Sequence, residues 1–257
     1  QLSPVAESVS TGGGPSTQVV ERLLDLNSRI DREVFFPVLE EGAAEFVLRD
    51  AYAFLVATCL DRGTKSEIIW TIPWWLRERW GHFDPEQVRD MSRESILETF
   101  STMPRRPRYL SDAPVTMEEL TRVVVDAFNG DARGLWYGRR PVEVRHTLQR
   151  IHGVGPGIAS MAIQLVDRAF PGEMEESATD SLDIKADVHT RRVLFRLGIA
   201  EAQTDSAAIA AARRLRPEHP GEVDGPLWYI GRFWCHPDHP NCLDCPVGGL
   251  CERRDVG

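Results

Sequence analysis

Apolar side chains recur along most of this chain at the three- and four-residue spacing of an α-helix. Residues 19–30 show this period, with Thr17 as a candidate cap, and residues 158–169 show it again. The run 51–60 is almost wholly apolar, and its length favours a buried helix, although periodicity alone leaves a buried strand open. Further helices are predicted at 92–100, 117–128, 188–197 and 206–214. No segment alternates apolar and polar positions as a half-buried strand does, so we predict an all-α fold.

A glycine-rich turn separates two of the predicted helices. Segment 151–155 reads Ile-His-Gly-Val-Gly, and Gly153 and Gly155 permit the positive φ angles of a very tight turn. The helix that follows would direct its free N–H groups and the positive end of its dipole at this turn, which favours a bound phosphate. Similar turns occur at ordinary helical corners, so the glycines alone leave a phosphate site and a plain corner open.

Four of the five cysteines are crowded near the C-terminus. Cys235, Cys242, Cys245 and Cys251 follow the spacing C-x6-C-x2-C-x5-C. Such clustering indicates a metal site rather than disulfides, and soft thiolates suit either zinc or an iron–sulfur cluster. Zinc ribbons usually present two C-x2-C pairs, and this segment has one. Cys59 lies alone in an apolar run and is predicted to be buried and inert.

Together these motifs resemble those of the helix-hairpin-helix DNA glycosylases of the endonuclease III superfamily. The similarity rests on the hairpin at 151–155, on Asp-Val-His at 187–189, and on the cysteine spacing with Gly-Arg-Phe-Trp at 231–234 before it. It covers most of the chain and is strongest at 148–197 and 228–252.

The resemblance implies a two-domain architecture in which DNA binds across the cleft between the domains. Residues 50–180 would form a six-helix domain containing the hairpin. Residues 19–49 and 181–257 would together form a terminal domain with an iron–sulfur cluster loop at its C-terminal end. Residues 1–18, which are small and polar, would be a flexible tail. The implied cofactor is a [4Fe–4S] cluster on the four clustered cysteines, with zinc as the alternative.

In this family the hairpin binds a DNA backbone phosphate, and the cluster loop presents basic residues to DNA. The DNA-binding residues that this implies are Gly153, Val154, Gly155, Gly157, Arg150 and Arg232, with Arg253 and Arg254 as further candidates. The loop 61–65 departs from the family, because it lacks the Gln that fills the gap left by a flipped base. Arg62 or Thr64 would have to serve there, although Arg62 also suits a plain surface position at a helix end.

The same resemblance makes Asp187 the catalytic carboxylate. Loss of a base builds positive charge on the sugar, and a carboxylate near C1′ stabilises that oxocarbenium character and orients a water molecule. An aspartate at this position also suits the N-cap of the helix at 188–197, and the two roles are compatible. Asp180 and Asp183 are weaker alternatives.

Family members that also cut the strand carry a lysine two residues after the second hairpin glycine, where it forms a Schiff base with the sugar. That position is Gly157 here, so we predict a monofunctional glycosylase. A lyase that uses Lys185, at a position the family does not use, is one alternative. A non-catalytic DNA-binding protein whose cluster senses redox state is another, although the Asp-x-His context of Asp187 favours an enzyme. Adenine-specific members carry a Glu where this chain has Ala57, which argues against adenine excision.

Composition and charge refine the expected partners. The 257 residues carry a net charge of −9, which counts against a sequence-blind DNA binder coated with lysine. Between residues 131 and 150, however, five arginines against one aspartate and one glutamate leave a local charge of +3. No apolar run approaches the roughly 20 residues of a membrane helix, and no signal peptide is recognisable. We therefore expect a cytoplasmic monomer that binds double-stranded DNA, associated with the nucleoid if its source is prokaryotic.

Overall fold

The computed structural model describes residues 15–175 and 182–256. Throughout these ranges the regular structure is helical and no strand occurs in them, which confirms the predicted all-α fold. The thirteen α-helices of the described chain are α1 (Pro15–Arg29), α2 (Ala43–Arg49), α3 (Ala51–Leu60), α4 (Ser66–Ile69), α5 (Ile72–Trp80), α6 (Pro85–Arg89), α7 (Arg93–Ser101), α8 (Ala113–Phe128), α9 (Pro141–Leu148), α10 (Pro156–Ala169), α11 (Val188–Arg196), α12 (Asp205–Leu215) and α13 (Asp224–Phe233). Short 3₁₀ helices lie at Arg32–Phe35, Ala132–Leu135, Pro220–Val223 and Gly248–Leu250. Among the described helices, none combines the length and apolarity needed to cross a bilayer.

Two helices begin earlier than predicted, and each has a proline in its first turn. α1 begins at Pro15, so residues 15–18 of the predicted tail are helical, while residues 1–14 lie outside the described residues. α8 begins at Ala113 rather than at Met117, with Pro114 in its first turn. Proline is tolerated there because the first N–H groups of a helix have no partner inside it.

The apolar run 51–60 forms α3, as its length indicated, and not a strand. Asp50 caps this helix, because its side chain accepts a hydrogen bond from the N–H of Ala53 at 2.9 Å. From Tyr52 to Leu60 every residue is buried, since the helix has no polar face and other helices enclose it. Cys59 is 1% exposed, as expected for an inert core residue.

Two clusters of buried apolar side chains hold the helices together. The larger cluster surrounds α3 and extends over residues 35–169, with the rings of Trp70 and Trp136 fully enclosed. The smaller cluster joins Leu23 of α1 to Ile184 and to residues 193–247. The N-terminal helix therefore packs against the C-terminal part of the chain.

Helix α13 connects the two clusters. Its Trp228 stacks on Phe35 of the larger cluster with ring centroids 5.6 Å apart, whereas Leu227 and Ile230 belong to the smaller one. A cleft lies along this contact, between α10, α13 and the segment 182–187.

Candidate functional site

The glycine hairpin joins α9 to the N-terminus of α10. Gly153 has φ +79, in the left-handed region, and a Cβ there would also collide with the guanidinium of Arg62. Gly155 does not use the positive φ that a glycine permits, because it is the N-cap of α10 with φ −81. A Cβ at Gly155 would meet nothing within 4 Å. Gly155 therefore leaves the surface in front of α10 open instead of tightening the turn.

Several backbone N–H groups at the start of α10 are free. In the described part of the chain, no acceptor is found for the N–H groups of Gly155, Gly157 and Ile158. The N–H of Val154 bonds within the turn at 3.0 Å and its side chain is buried, so Val154 stabilises the hairpin from inside. Arg150 is exposed beside the hairpin. Free N–H groups, a helix N-terminus and an arginine together suit a bound anion.

Arg62 and Thr64, the two predicted gap-filling residues, hold the loop 61–65 near the start of α8. The Arg62 guanidinium donates to the Thr116 hydroxyl at 3.0 Å, and its side chain is 16% exposed. The Thr64 hydroxyl accepts the backbone N–H of Arg108 at 2.8 Å. Both side chains have partners within the protein, and their contact with DNA stays a prediction.

Tyr109 lies beside this loop and is 45% exposed. The guanidinium groups of Arg62 and Arg108 lie 5.5 Å and 5.9 Å from its ring centroid. A Cβ at Gly63 would lie 3.4 Å from its ring, so the tyrosine packs closely on the loop. An exposed aromatic ring between two cations is suited to stack on a nucleic-acid base. Tyr109 belongs to no motif, and an aromatic residue in an arginine-rich loop is its one sequence signal.

Asp187 is the N-cap of α11, as its position before that helix indicated. Its Oδ1 atom accepts the N–H groups of His189 and Thr190 at 2.8 Å and 2.9 Å, and the Thr190 hydroxyl accepts the N–H of Asp187. This reciprocal capping holds the carboxylate in one orientation. Among the described residues Oδ2 has no hydrogen bond or ion pair. Asp187 is half-buried on the wall of the cleft.

The cleft has a volume of about 590 Å³ and is lined from both clusters. Its polar and charged lining includes Asp61, Lys65, Gln164, Arg168, Lys185, Asp187, His189, Asp224 and Arg232, with Met161 beside them. Phe35, Trp70 and Trp228 add aromatic walls. A few polar groups on aromatic and apolar walls are typical of a site for a flat polar ligand.

Lys185 places an ammonium group in this cleft. Its Nζ lies 3.2 Å from Asp61 Oδ2 and 3.2 Å from Met161 Sδ. Burial lowers its pKa, but the charges of Asp61 and Asp187 outweigh burial, so the pKa of Lys185 is raised. Its Cα lies 3.7 Å from the point that a Cβ of Gly157 would occupy. The fold thus places the backbone of Lys185 next to Gly157, the hairpin position at which this chain has no lysine of its own.

Asp224, in the first turn of α13, is 6% exposed on the same cleft. Among the described residues its Oδ1 atom has no hydrogen-bond partner, while the N–H of Lys185 donates to the carboxyl group. Burial and the nearby charge of Asp187 raise the pKa of Asp224 to about 8. No sequence motif indicates this environment, because an aspartate at a helix start is common.

The remaining predicted residues lie at the edge of the cleft or outside it. Arg232 lines the cleft and bonds the hydroxyl of Ser66, the first residue of α4, at 2.9 Å. Asp183 pairs with Arg213 at 2.7 Å and does not line the cleft. Asp180 lies outside the described residues.

The four clustered cysteines line one small apolar cavity between α11, α13 and the C-terminal loop. Arg196 lines it too, with Nη1 3.4 Å from Cys235 Sγ and a buried Nε that has no acceptor in the described residues. No three His, Cys, Asp or Glu side chains of the described chain form a group that holds a single metal ion. A buried cation with a spare N–H beside four thiols suits an anionic group with sulfur acceptors. The residues present therefore fit an iron–sulfur cluster.

Comparison with known proteins gives relatives of one kind. No protein-family model matches the chain. It is similar to endonuclease III of Thermotoga maritima, with 24% identity over 242 residues that cover 86% of this chain and 96% of that protein. It is also similar to the human adenine DNA glycosylase, with 28% identity over 152 residues. That match covers 54% of this chain and 28% of the human protein.

Solved structures share the fold over nearly the whole chain. A trapped covalent intermediate of endonuclease III with DNA matches with a TM-score of 0.63 at 18% identity, covering 92% of this chain and 96% of that one. A thermostable thymine-DNA glycosylase matches with a TM-score of 0.57 at 18% identity, covering 93% and 96%. With its hairpin, its capped Asp187 and its cysteine loop, the chain is similar to the helix-hairpin-helix DNA glycosylases of the endonuclease III superfamily and shares the fold of endonuclease III.

Proposed function

We propose that this protein is a monofunctional DNA glycosylase, which extrudes a damaged, mismatched or modified base from double-stranded DNA and hydrolyses its N-glycosidic bond. One observation carries the proposal. Asp187 holds one carboxylate oxygen in a capping box and leaves the other free on the wall of a cleft of about 590 Å³. The names of the similar proteins, endonuclease III and adenine DNA glycosylase, support the reaction class.

Asp187 acts on the sugar. As the base departs, positive charge develops at C1′, and a fixed carboxylate beside it lowers the barrier. The two backbone N–H bonds to Oδ1 keep the group from rotating away, so little reorganisation is needed when the charge appears. The same carboxylate orients the water that adds to C1′ and leaves an abasic site.

The hairpin and Tyr109 dock the DNA. The free N–H groups of Gly155 and Gly157, with the exposed Arg150, bind a backbone phosphate next to the extruded nucleotide. Tyr109 fills the space that the base vacates, supported by Arg62 beneath its ring. Base extrusion is required because Asp187 cannot reach a sugar whose base is stacked in the duplex.

The two apolar clusters support a division into two domains, with DNA bound across the cleft between them by a monomer. Phe35, Phe36 and Val47 belong to the larger cluster, and on this ground we propose a boundary near residue 32 in place of the predicted 49. α1 and residues from 182 onward form the second domain.

The chain offers few amines for a lyase reaction. Its only lysines are Lys65 and Lys185, and both line the cleft. A Schiff base requires a neutral amine, whereas Lys185 pairs with Asp61 and its pKa is raised. Hydrolysis by water is therefore the favoured route.

A bifunctional glycosylase that uses Lys185 is the second candidate. It is favoured by one contact, the 3.7 Å between Lys185 Cα and the position of a Gly157 Cβ. This contact puts the Lys185 backbone beside the hairpin, but the reaction requires the Lys185 amine to lose both its proton and its partner Asp61.

The C-terminal loop holds a [4Fe–4S] cluster on Cys235, Cys242, Cys245 and Cys251, with zinc as the alternative. Bound there, the cluster would fix the loop and supply one-electron redox chemistry. Helix α11 holds the loop from the other side, because Arg196 donates to the carbonyl oxygens of two loop residues at 2.6 Å and 2.7 Å.

A panel of duplexes tests the proposal. The panel holds uracil, thymine opposite guanine, hypoxanthine, oxidised guanine, alkylated purines and modified cytosines, and each duplex is read with and without hot alkali. Strand scission that needs alkali identifies a monofunctional glycosylase and its base. Scission without alkali establishes a lyase amine, for which Lys185 is the candidate, and no base release from any duplex rejects glycosylase activity on these bases.

A further inference from the structure

One face of α13 is directed at the cleft. Asp224, Trp228 and Arg232 follow one another at four-residue spacing, and all three line the cleft. The Trp228 ring lies 6.3 Å from the ring of His189, and the Arg232 guanidinium lies 5.4 Å from the Trp228 centroid. An acid, an aromatic ring and a cation thus succeed one another along a single helix face.

Two buried polar groups on this cleft have no partner among the described residues. They are Oδ1 of Asp224 and Nε2 of Gln164. An unpaired buried polar atom is costly, and such atoms at a cleft indicate a ligand that supplies the missing partner. A carboxyl group and an amide beside an aromatic ring match the polar edge and flat face of a nucleobase.

The charged groups around Asp224 come from each neighbouring element. They are Asp187 at the start of α11, Lys185 from segment 182–187, Arg168 from α10 and, further along its own helix face, Arg232. From α1 the nearest polar residue is the uncharged Asn27, which accepts a hydrogen bond from Arg168. Glu222, in the preceding 3₁₀ helix, pairs with Arg216 at 2.7 Å. Burial and Asp187 together raise the pKa of Asp224 to about 8, so its neutral acid form prevails at neutral pH.

We propose that Asp224 is a catalytic acid that donates its proton to the base as the glycosidic bond breaks. The proposal rests on the proposed function. Two acidic groups in one site divide the work, with Asp187 stabilising the sugar and Asp224 assisting the leaving group. Trp228 supports the base by stacking, so that the polar edge of the base meets the carboxyl group of Asp224.

The step balances in atoms and charge. The electron pair of the broken C1′–N bond stays on the base, which takes the proton from the Asp224 carboxyl group. Water adds to C1′ and gives its proton to Asp187. Exchange with solvent then restores the acid at Asp224, and the products are a neutral base and an abasic sugar.

The pH dependence of base release tests this role. Single-turnover release is measured between pH 6 and pH 9.5 on whichever duplex of the panel reacts, for the wild type, Asp224→Asn and the control Glu222→Gln. We expect the wild-type rate to fall about tenfold per pH unit above about 8. Asp224→Asn should be about 100-fold slower at pH 7 and should lack this alkaline limb. Glu222→Gln should keep the wild-type profile.

A second measurement is independent of activity. Carboxyl ¹³C NMR of the free protein should show one aspartate that titrates near pH 8 and is missing in Asp224→Asn. Thermal unfolding and DNA binding of Asp224→Asn establish that the variant is folded.

The outcomes separate this proposal from the proposed function. Base release with an unchanged alkaline limb in Asp224→Asn, or no carboxyl group titrating near pH 8, overturns the role of Asp224 alone. No base release from any duplex overturns the glycosylase proposal and this one with it.

Discussion

Lys185 packs directly against Gly157, which lies in the first turn of α10, although Lys185 comes well after the end of that helix in the chain. The Cα of Lys185 is 3.7 Å from the position of a Gly157 Cβ, and its ammonium group pairs with Asp61. Gly157 itself offers no amine, yet the backbone of a lysine lies next to it. The role of Lys185 therefore distinguishes the two candidate reactions.

Borohydride trapping tests whether Lys185 acts as an amine nucleophile or only as a counter-ion to the carboxylates around it. We expect no covalent complex between the wild type and its substrate duplex, because Lys185 is protonated at neutral pH. Lys185→Met should slow base release about tenfold, since Asp61, Asp187 and Asp224 lose their shared cation. Lys65→Met is the matched control, as the other lysine of the chain. A trapped complex that disappears in Lys185→Met would establish the lyase.

The raised pKa of Asp224 also predicts how stability depends on pH. The folded state keeps a proton on Asp224 up to pH about 8, whereas an unfolded aspartate loses it near 3.8. Stability contributed by this group is therefore highest below pH about 4 and declines as the pH rises to about 8, by at most about 5–6 kcal/mol.

Asp224→Asn removes that pH dependence. Its melting temperature should exceed that of the wild type, and the difference should widen from pH 6 to about pH 8 and then level off. A difference that is constant over this range would mean that Asp224 titrates as it does in the unfolded chain.

Tyr109 is expected to hold the duplex open. Tyr109→Ala should lower base release about tenfold, because stacking on a base contributes about 1–3 kcal/mol. 2-Aminopurine placed next to the target base should show correspondingly less unstacking. Tyr137, 61% exposed elsewhere on the surface, supplies the control Tyr137→Ala. Equal activity of the two variants would exclude Tyr109 from the DNA gap.

Metal analysis tests the cysteine loop. Protein purified without oxygen should contain about four iron and four acid-labile sulfide per chain. Arg196→Gln should make the bound cluster easier to oxidise or lose, because Arg196 is the buried cation beside Cys235. Stoichiometric zinc without sulfide would contradict the iron–sulfur assignment.

Most features of the fold and of the candidate site that could be predicted come from short sequence motifs. The hairpin glycines, the capping aspartate and the cysteine spacing are contiguous in the sequence, and α3 was recognisable from the length of its apolar run. Of the two glycines that permit a positive φ, the turn uses this freedom at Gly153 alone, while Gly155 serves as a helix cap in extended geometry.

What the sequence did not indicate depends on contacts between distant segments. Asp224 looks like an ordinary helix-start acid until Asp187 and Lys185 are placed beside it. The Arg62 side chain is held inside the protein by its hydrogen bond to Thr116 of α8, which lies far from Arg62 along the chain. Residue spacing reports neither burial nor charge coupling across a fold.

Single-turnover base release by Asp187→Asn tests the central claim most directly. Asparagine caps a helix as well as aspartate does, so the variant should remain folded and bind duplex DNA. Its rate of base release should fall at least about 100-fold. Asp183→Asn, which loses only a pair with Arg213 outside the cleft, should release base at the wild-type rate. Wild-type release by Asp187→Asn would remove Asp187 from the mechanism and contradict the account.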